Sequence, residues 1–143
     1  MPHLLPMEAS KLLPHRAPMC CIDKLLTASI DKATAEVLLS NDHILMENGT
    51  MNVLGYIELA AQTAGAMQGY ATVKNGIPPQ EGFLVAVQQV EFLAPAEVNT
   101  TLHIAVELVG EYQGVSVLSF LIQDPQEVKA RGKLKVYVET DNA

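Results

Sequence analysis

Apolar and polar residues alternate along much of this 143-residue chain, and the alternation predicts six strands. The first two are predicted over residues 19–29 and 32–40, joined by a tight connection at Ile30-Asp31. The other four follow in the C-terminal half, over residues 82–93, 100–109, 114–122 and 128–139. The connections between them are short, which favours antiparallel neighbours.

One long segment, residues 48–73, breaks the alternation, and Glu58 is its only charged side chain. Its apolar positions cover most of the circumference of a helix, a pattern typical of a helix wrapped by other structure. A turn is predicted at Asn48-Gly49, after which Thr50 or Asn52 can cap the helix. A glycine and two prolines after Asn75 predict where it ends.

Two strands, one long buried helix and four further strands indicate an α+β hotdog fold. In this arrangement an antiparallel sheet of about five to six strands wraps a central helix. The length suits a single domain over residues 1–143. An unpaired edge strand readily pairs with another chain, so we expect a dimer with one continuous sheet.

Composition narrows the classes of function. A net charge of -7 argues against a nucleic-acid partner, because phosphates require clustered lysine and arginine. Residues 51–73 are long enough to cross a bilayer, but Glu58 and three amide side chains would be costly there, so no membrane span is expected. No uninterrupted apolar stretch opens the chain, and Cys20 and Cys21 are adjacent, which together indicate a reducing cytoplasm.

The lone acid in the buried helix is a candidate functional residue, because an ionised carboxylate removed from water costs several kcal/mol unless it is paired or hydrogen-bonded. Alternatively, Glu58 is structural: it lies on a polar edge of the helix near Gln62, or it accepts a hydrogen bond from Gln62 across one turn. No metal site is predicted: Cys20, Cys21 and His15 have the right atoms for zinc but not a known ligand spacing.

Two motifs carry a resemblance to a known family. Residues 12–16, LLPHR, followed by Pro18-Met19 and Ile22-Asp23, resemble the N-terminal LLPHRxPxLLxD stretch of bacterial 3-hydroxyacyl-acyl-carrier-protein dehydratases. Residues 57–62, IELAAQ, followed by Ala64-Gly65, resemble the helix motif IEALAQxAG of the same family. The resemblance implies the hotdog fold and the dehydration of a 3-hydroxyacyl thioester.

The loop before the helix departs from that family. The dehydratases carry a GHFPG-type loop whose histidine works together with the helix carboxylate, whereas residues 46–52 read MENGTMN and contain no histidine. This shorter loop is similar to that of a divergent branch encoded with aryl polyene and related polyketide clusters. The resemblance implies an acyl carrier protein as partner and its phosphopantetheine as the only carrier group, without a further cofactor. It also implies a homodimer, a heterodimer with a related hotdog subunit, or a higher oligomer.

The resemblance and the chemistry together assign candidate roles. Dehydration needs a base for the α proton, an acid for the departing hydroxyl and donors for the thioester oxygen. Glu58 is the candidate acid, and His15 or His43 the candidate base, although His15 can equally hold the N-terminal segment. Gln62 either orients Glu58 or binds a pantetheine amide. The backbone amides at the helix start are the candidate donors to the thioester: Val53, Leu54 and Gly55.

Two other functions remain open at the level of sequence. A hotdog domain can use a helix glutamate to activate water, which would make the protein an acyl thioesterase. It can also be the noncatalytic half of a heterodimeric dehydratase. Four bases on one face of the last strand either contact an acidic carrier protein or are simply solvated: Lys129, Arg131, Lys133 and Lys135.

Overall fold

One long helix packs against one large antiparallel sheet in the computed structural model, which describes residues 5–13, 19–76 and 82–138. The strands of the chain are β1 (Met7–Glu8), β2 (Lys24–Ala28), β3 (Lys32–Leu38), β4 (Met46–Glu47), β5 (Thr50–Met51), β6 (Gly82–Phe92), β7 (Thr101–Tyr112), β8 (Val115–Gln123) and β9 (Val128–Val138). The helix α1 spans Gly55–Lys74. A 3-10 turn, Ala9–Lys11, follows β1.

The main sheet contains seven strands in the order β1-β2-β3-β7-β8-β9-β6, and β4 and β5 form a separate hairpin. This arrangement is the α+β hotdog layout predicted from the sequence, with one strand more than expected. The additional strand is β1, whose Met7 and Glu8 pair with Leu25 and Lys24 of β2. Two residues are too few to produce a recognisable alternation, which is why the pattern did not reveal it.

The core lies between α1 and the face of the sheet on which it packs. A row of side chains crosses four strands in register there, and all of them are fully buried: Ala35 of β3, Ile104 of β7, Ile122 of β8 and Ala130 of β9. On the helix, Tyr56, Leu59 and Ala60 are fully buried, whereas Ile57 and Ala61 are only half-buried. The helix is therefore covered on one side and partly accessible on the other in this single chain.

The first predicted strand is wrong at its start, because β2 begins at Lys24 and not at Met19. Residues 19–22 run against the helix, where the Cys21 N–H donates to Gln62 Oε1 over 2.7 Å, whereas the Asp23 N–H donates to the Glu36 carbonyl of β3. The apolar character of this segment thus reflects burial against α1.

The β7–β8 connection also differs from the prediction. Gln113 and Gly114, with φ of 51° and 84°, make the turn, and Gly110 lies within β7 at a register shift.

The helix begins at Gly55, two to four residues later than a cap at Thr50 or Asn52 would give, because Thr50 belongs to β5 and a turn follows Asn52. Asn52 supplies the local turn before the helix. Its Oδ1 accepts from the Leu54 N–H over 2.9 Å, and its carbonyl accepts from the Gly55 N–H over 2.8 Å. The end of the helix at Lys74 agrees with the predicted stop near Asn75.

The prediction that the basic residues of the last strand share one exposed face is wrong for Lys129. Its side chain is 8% exposed, and its Nζ lies 2.8 Å from Glu127 Oε1 and 3.3 Å from Asp124 Oδ2. It also donates to the Pro95 carbonyl over 2.8 Å, while Arg131 on the exposed face pairs with Glu91. Strand alternation alone could not show that the β8–β9 turn folds two carboxylates over this lysine.

Gly69 permits the closest approach between the helix and the N-terminal segment, and its replacement provides a test of the packing. A Cβ added at Gly69 would collide with the Leu12 carbonyl group, which is backbone and cannot rotate away. We expect Gly69→Ala to lower the free energy of unfolding by about 3 kcal/mol, although alanine is the better helix former. Denaturant unfolding measures this change.

Gly65 offers the matched control on the same helix. A Cβ there would meet only the end of the Leu13 side chain, at 3.0 Å. A flexible side-chain end can move, so Gly65→Ala should change stability by less than about 1 kcal/mol. Equal effects of the two substitutions would contradict the packing of Leu12 on Gly69.

Candidate active site

A cavity of about 550 Å³ opens at the N-terminal end of α1. Three parts of the chain form it: the irregular segment before β2, the residues around β4, and the first turn of the helix. Its lining is mostly apolar with two carboxylates and one amide side chain: Met19, Cys21, Ile44, Leu45, Met46, Glu47, Asn52, Leu54, Gly55 and Glu58. The candidate acid Glu58 therefore lies on the wall of a cavity large enough for part of an acyl chain.

Gln62 donates a hydrogen bond to the Glu58 carboxylate. Gln62 is 2% exposed, and its Nε2 donates over 2.8 Å both to Glu58 Oε2 and to the Met19 carbonyl. Its Oε1 accepts from the Cys21 N–H over 2.7 Å. Because that amide can only donate, the orientation of the Gln62 side chain is fixed, and its nitrogen must face Glu58.

This bonding bears on the two roles predicted for Gln62. Both hydrogens of its nitrogen are used within the protein, so Gln62 has no donor left for a pantetheine amide. It orients the carboxylate and fastens residues 19–21 to the helix. Glu58 is half-buried, and within the described part of the chain its Oε1 has no hydrogen-bond partner, so this oxygen is available to a molecule in the cavity.

Cys21 contributes a neutral thiol to the same wall. Burial, and to a lesser extent the negative charge of Glu58, raises the pKa of the Cys21 thiol to about 11. A thiol of this pKa is protonated at neutral pH and is a poor nucleophile. Sequence reasoning placed Cys21 in a strand and did not predict it here.

Of the two candidate bases, only His43 lies among the described residues. His43 does not line the cavity: its Nδ1 accepts from the Leu45 N–H over 3.1 Å, and its Nε2 lies 2.8 Å from the Cys21 carbonyl. An acceptor Nδ1 requires the proton on Nε2, so neither ring nitrogen is left with a free lone pair. His43 fastens the loop to residues 19–23. His15 lies outside the described residues, so its predicted role as base stays a prediction.

The three backbone amides predicted as donors at the helix start differ in their hydrogen bonds and in their place relative to the cavity. The Leu54 and Gly55 amides donate to Asn52, and only the Val53 N–H lacks a protein acceptor among the described residues. Val53 itself does not line the cavity, whereas Leu54 and Gly55 do. The space that Gly55 leaves is occupied by Met51, whose Cγ and Sδ lie 3.0 Å from an added Cβ. The glycine at position 55 thus leaves room for the Met51 side chain.

Glu47 is another cavity residue that sequence reasoning missed. It lies in β4, one residue before the Asn48-Gly49 turn, in the loop that differs from the histidine-containing loop of the dehydratases. The signal that could have identified it is the position itself: an acid in the loop that faces the helix carboxylate in the family motif. No group of three or more metal-ligating side chains occurs among the described residues.

Comparisons with known proteins identify relatives of the chain. A family model described as "ApeP-like: ApeP dehydratase" matches residues 7–143. No curated protein sequence matches the chain. Among solved structures, the dehydratase heterocomplex ApeI:P from Xenorhabdus doucetiae is similar over 97% of this chain and 94% of that chain, with a TM-score of 0.86 and 21% identity.

More distant structural relatives have other names. The sigma28-regulated virulence protein Cj0977 from Campylobacter jejuni matches 94% of this chain and 88% of its own, with a TM-score of 0.69 and 12% identity. A hypothetical thioesterase with coenzyme A from Streptococcus pneumoniae matches 83% and 87%, with a TM-score of 0.63 and 13% identity. At these identities the likeness shows the hotdog fold alone. Within the described residues, no helix is long and apolar enough to cross a membrane.

Proposed function

Since this chain belongs to the family of ApeP-like dehydratases, we propose that it removes water from a 3-hydroxyacyl thioester carried on the phosphopantetheine of an acyl carrier protein. The reaction would serve aryl polyene or related polyketide synthesis in the cytoplasm. The observation that carries the proposal is the Glu58 carboxylate, which Gln62 fixes at the wall of an apolar cavity with one oxygen available.

Glu58 is the acid of the proposed reaction. Gln62 presents an N–H to Oε2, so Oε2 is the acceptor, and a proton held by the carboxyl group sits on Oε1. From there it can pass to the departing hydroxyl of the substrate. Of the predicted donors to the thioester oxygen, the Val53 N–H alone has no acceptor among the described residues, but Val53 lies outside the cavity lining.

The partner in the proposed assembly is a related hotdog subunit. ApeP-type chains are represented by the solved ApeI:P heterocomplex, to which this chain is similar. The edge strand β6 supports pairing of this kind, since it is eleven residues long and has an open edge. Several of its large apolar side chains are between 42% and 56% exposed: Phe83, Leu84, Val85, Val87 and Phe92. A long apolar edge is normally covered by another strand.

Product identity tests the proposed function. A 3-hydroxyacyl carrier protein is incubated with the full chain, alone and together with a copurifying hotdog subunit, and the acyl group is analysed by mass spectrometry. We expect loss of one water and an enoyl thioester. Release of a free acid would replace the proposal by a thioesterase. If the partner alone forms as much product as the complex, this chain is a noncatalytic subunit.

A further inference from the structure

The cavity at the start of α1 holds two carboxylates and, among the residues the structure describes, no histidine. Glu58 is half-buried and bonded to Gln62, whereas Glu47 is exposed. The two acids therefore have different environments although they line one cavity. Pairs of titratable groups with different environments are how enzymes divide the roles of acid and base.

Glu47 is held by backbone geometry. It ends β4 of a two-residue hairpin whose turn residues, Asn48 and Gly49, both have positive φ, 53° and 83°. The hairpin is fastened to the rest of the chain on its other strand: the Met51 N–H donates to the Ala96 carbonyl over 2.9 Å. A tight turn of this kind is well defined, so the position of Glu47 relative to the helix is fixed by the fold.

The Glu47 carboxylate is also not bonded to any other described residue. In residues 5–13, 19–76 and 82–138, no ion pair or side-chain hydrogen bond involves its carboxylate. A carboxylate that is not bonded to the protein can act as a proton acceptor for a molecule beside it. Carboxylates remove protons from carbon next to a carbonyl group in other enzymes, so the chemistry does not require an imidazole.

We propose that Glu47 is the base of the reaction, in the loop position where related dehydratases carry a histidine. This inference rests on the proposed function. Glu47 removes the proton from C2 of the 3-hydroxyacyl thioester, and the C–H electron pair forms the C2–C3 double bond. The C3–O bond breaks, and the hydroxyl takes the proton from Glu58 Oε1 and leaves as water. Proton transfer from Glu47 to Glu58 through solvent restores both groups.

The absence of a cation from the described lining fits this assignment. Two acids and no lysine or arginine make the cavity unfavourable for a phosphate or a free carboxylate. The part of the substrate that enters is therefore neutral, as a hydroxyacyl thioester is. The charged phosphopantetheine end stays outside, so Glu47 meets the α carbon and not the phosphate.

The test measures dehydration by the full chain in its assembled form, with Glu47→Gln, Glu47→Ala and a matched control. We expect Glu47→Gln to lower kcat by about 10²- to 10⁴-fold with KM changed less than about threefold, because a base acts on the transition state. Added formate or acetate should partly restore turnover by Glu47→Ala, since a small carboxylate can occupy the space of the missing base. A structural role would not respond to formate.

Glu97 is the matched control, because it is an exposed acid that bridges to Thr50 of the same hairpin but does not line the cavity. Glu97→Gln should retain the wild-type kcat. Wild-type turnover by Glu47→Gln would overturn the assignment while leaving the dehydratase function intact. Loss of activity in Glu47→Ala that neither formate nor acetate restores would also overturn it. A wild-type assembly that forms no enoyl product would instead overturn the proposed function, and the role of Glu47 with it.

Discussion

Glu58→Gln should reduce kcat for dehydration by about 10²- to 10⁴-fold, the loss expected when a general acid is removed. The amide has the same shape as the carboxyl group, and its oxygen can still accept from the Gln62 nitrogen. The bonds from Gln62 to Met19 and Cys21 are therefore retained. What disappears is the proton that the departing hydroxyl requires, because an amide N–H cannot supply it.

Steady-state kinetics and thermal unfolding of the same preparations measure this effect. We expect the midpoint of unfolding to stay close to that of the wild type and KM to change less than about threefold, since the substrate contacts remain. Glu97→Gln, an exposed acid outside the cavity lining, is the appropriate control. Unchanged turnover by Glu58→Gln would show that this carboxyl group does not donate the proton.

The helix and its acid were predictable from the sequence for one physical reason. A charge in the middle of a long apolar segment is costly unless something binds it, and Gln62, four residues later, proves to be its partner. Strand periodicity likewise predicted β3, β7, β8 and β9, where buried and more accessible residues alternate, and it predicted β6 although its large side chains are exposed in the single chain.

The remaining parts of the site depend on contacts between distant segments. Residues 19–22 carry a strand-like composition, yet Cys21 bonds to Gln62, 41 positions away, and the segment runs against the helix. Lys129 reads as an exposed residue of an alternating strand until the β8–β9 turn places Asp124 beside it. No sequence pattern around Glu47 predicted that it would line the cavity. Its importance comes from a hairpin that brings it to the cavity of Glu58.

Gln62→Leu should lower both stability and activity. The leucine keeps most of the volume but leaves the buried Cys21 N–H without its acceptor and removes one of the donors to the part-buried Met19 carbonyl. Each such group costs about 1 to 3 kcal/mol, so we expect a loss of about 3 kcal/mol in the free energy of unfolding. The Glu58 carboxylate also loses its orienting bond, which should reduce kcat by about 10- to 100-fold.

Gln62→Glu tests the same bonds with a side chain of nearly the same shape. Its carboxylate can still accept from the Cys21 N–H, but it brings an oxygen against the Met19 carbonyl and the Glu58 carboxylate, both of which are acceptors. It should therefore lower stability at least as much as Gln62→Leu and should not retain the wild-type kcat. Gln68→Leu is the control, because Gln68 is a half-buried residue of the same helix that does not line the cavity. Wild-type kcat in folded Gln62→Leu would mean that Gln62 fastens residues 19–21 to the helix without orienting the acid.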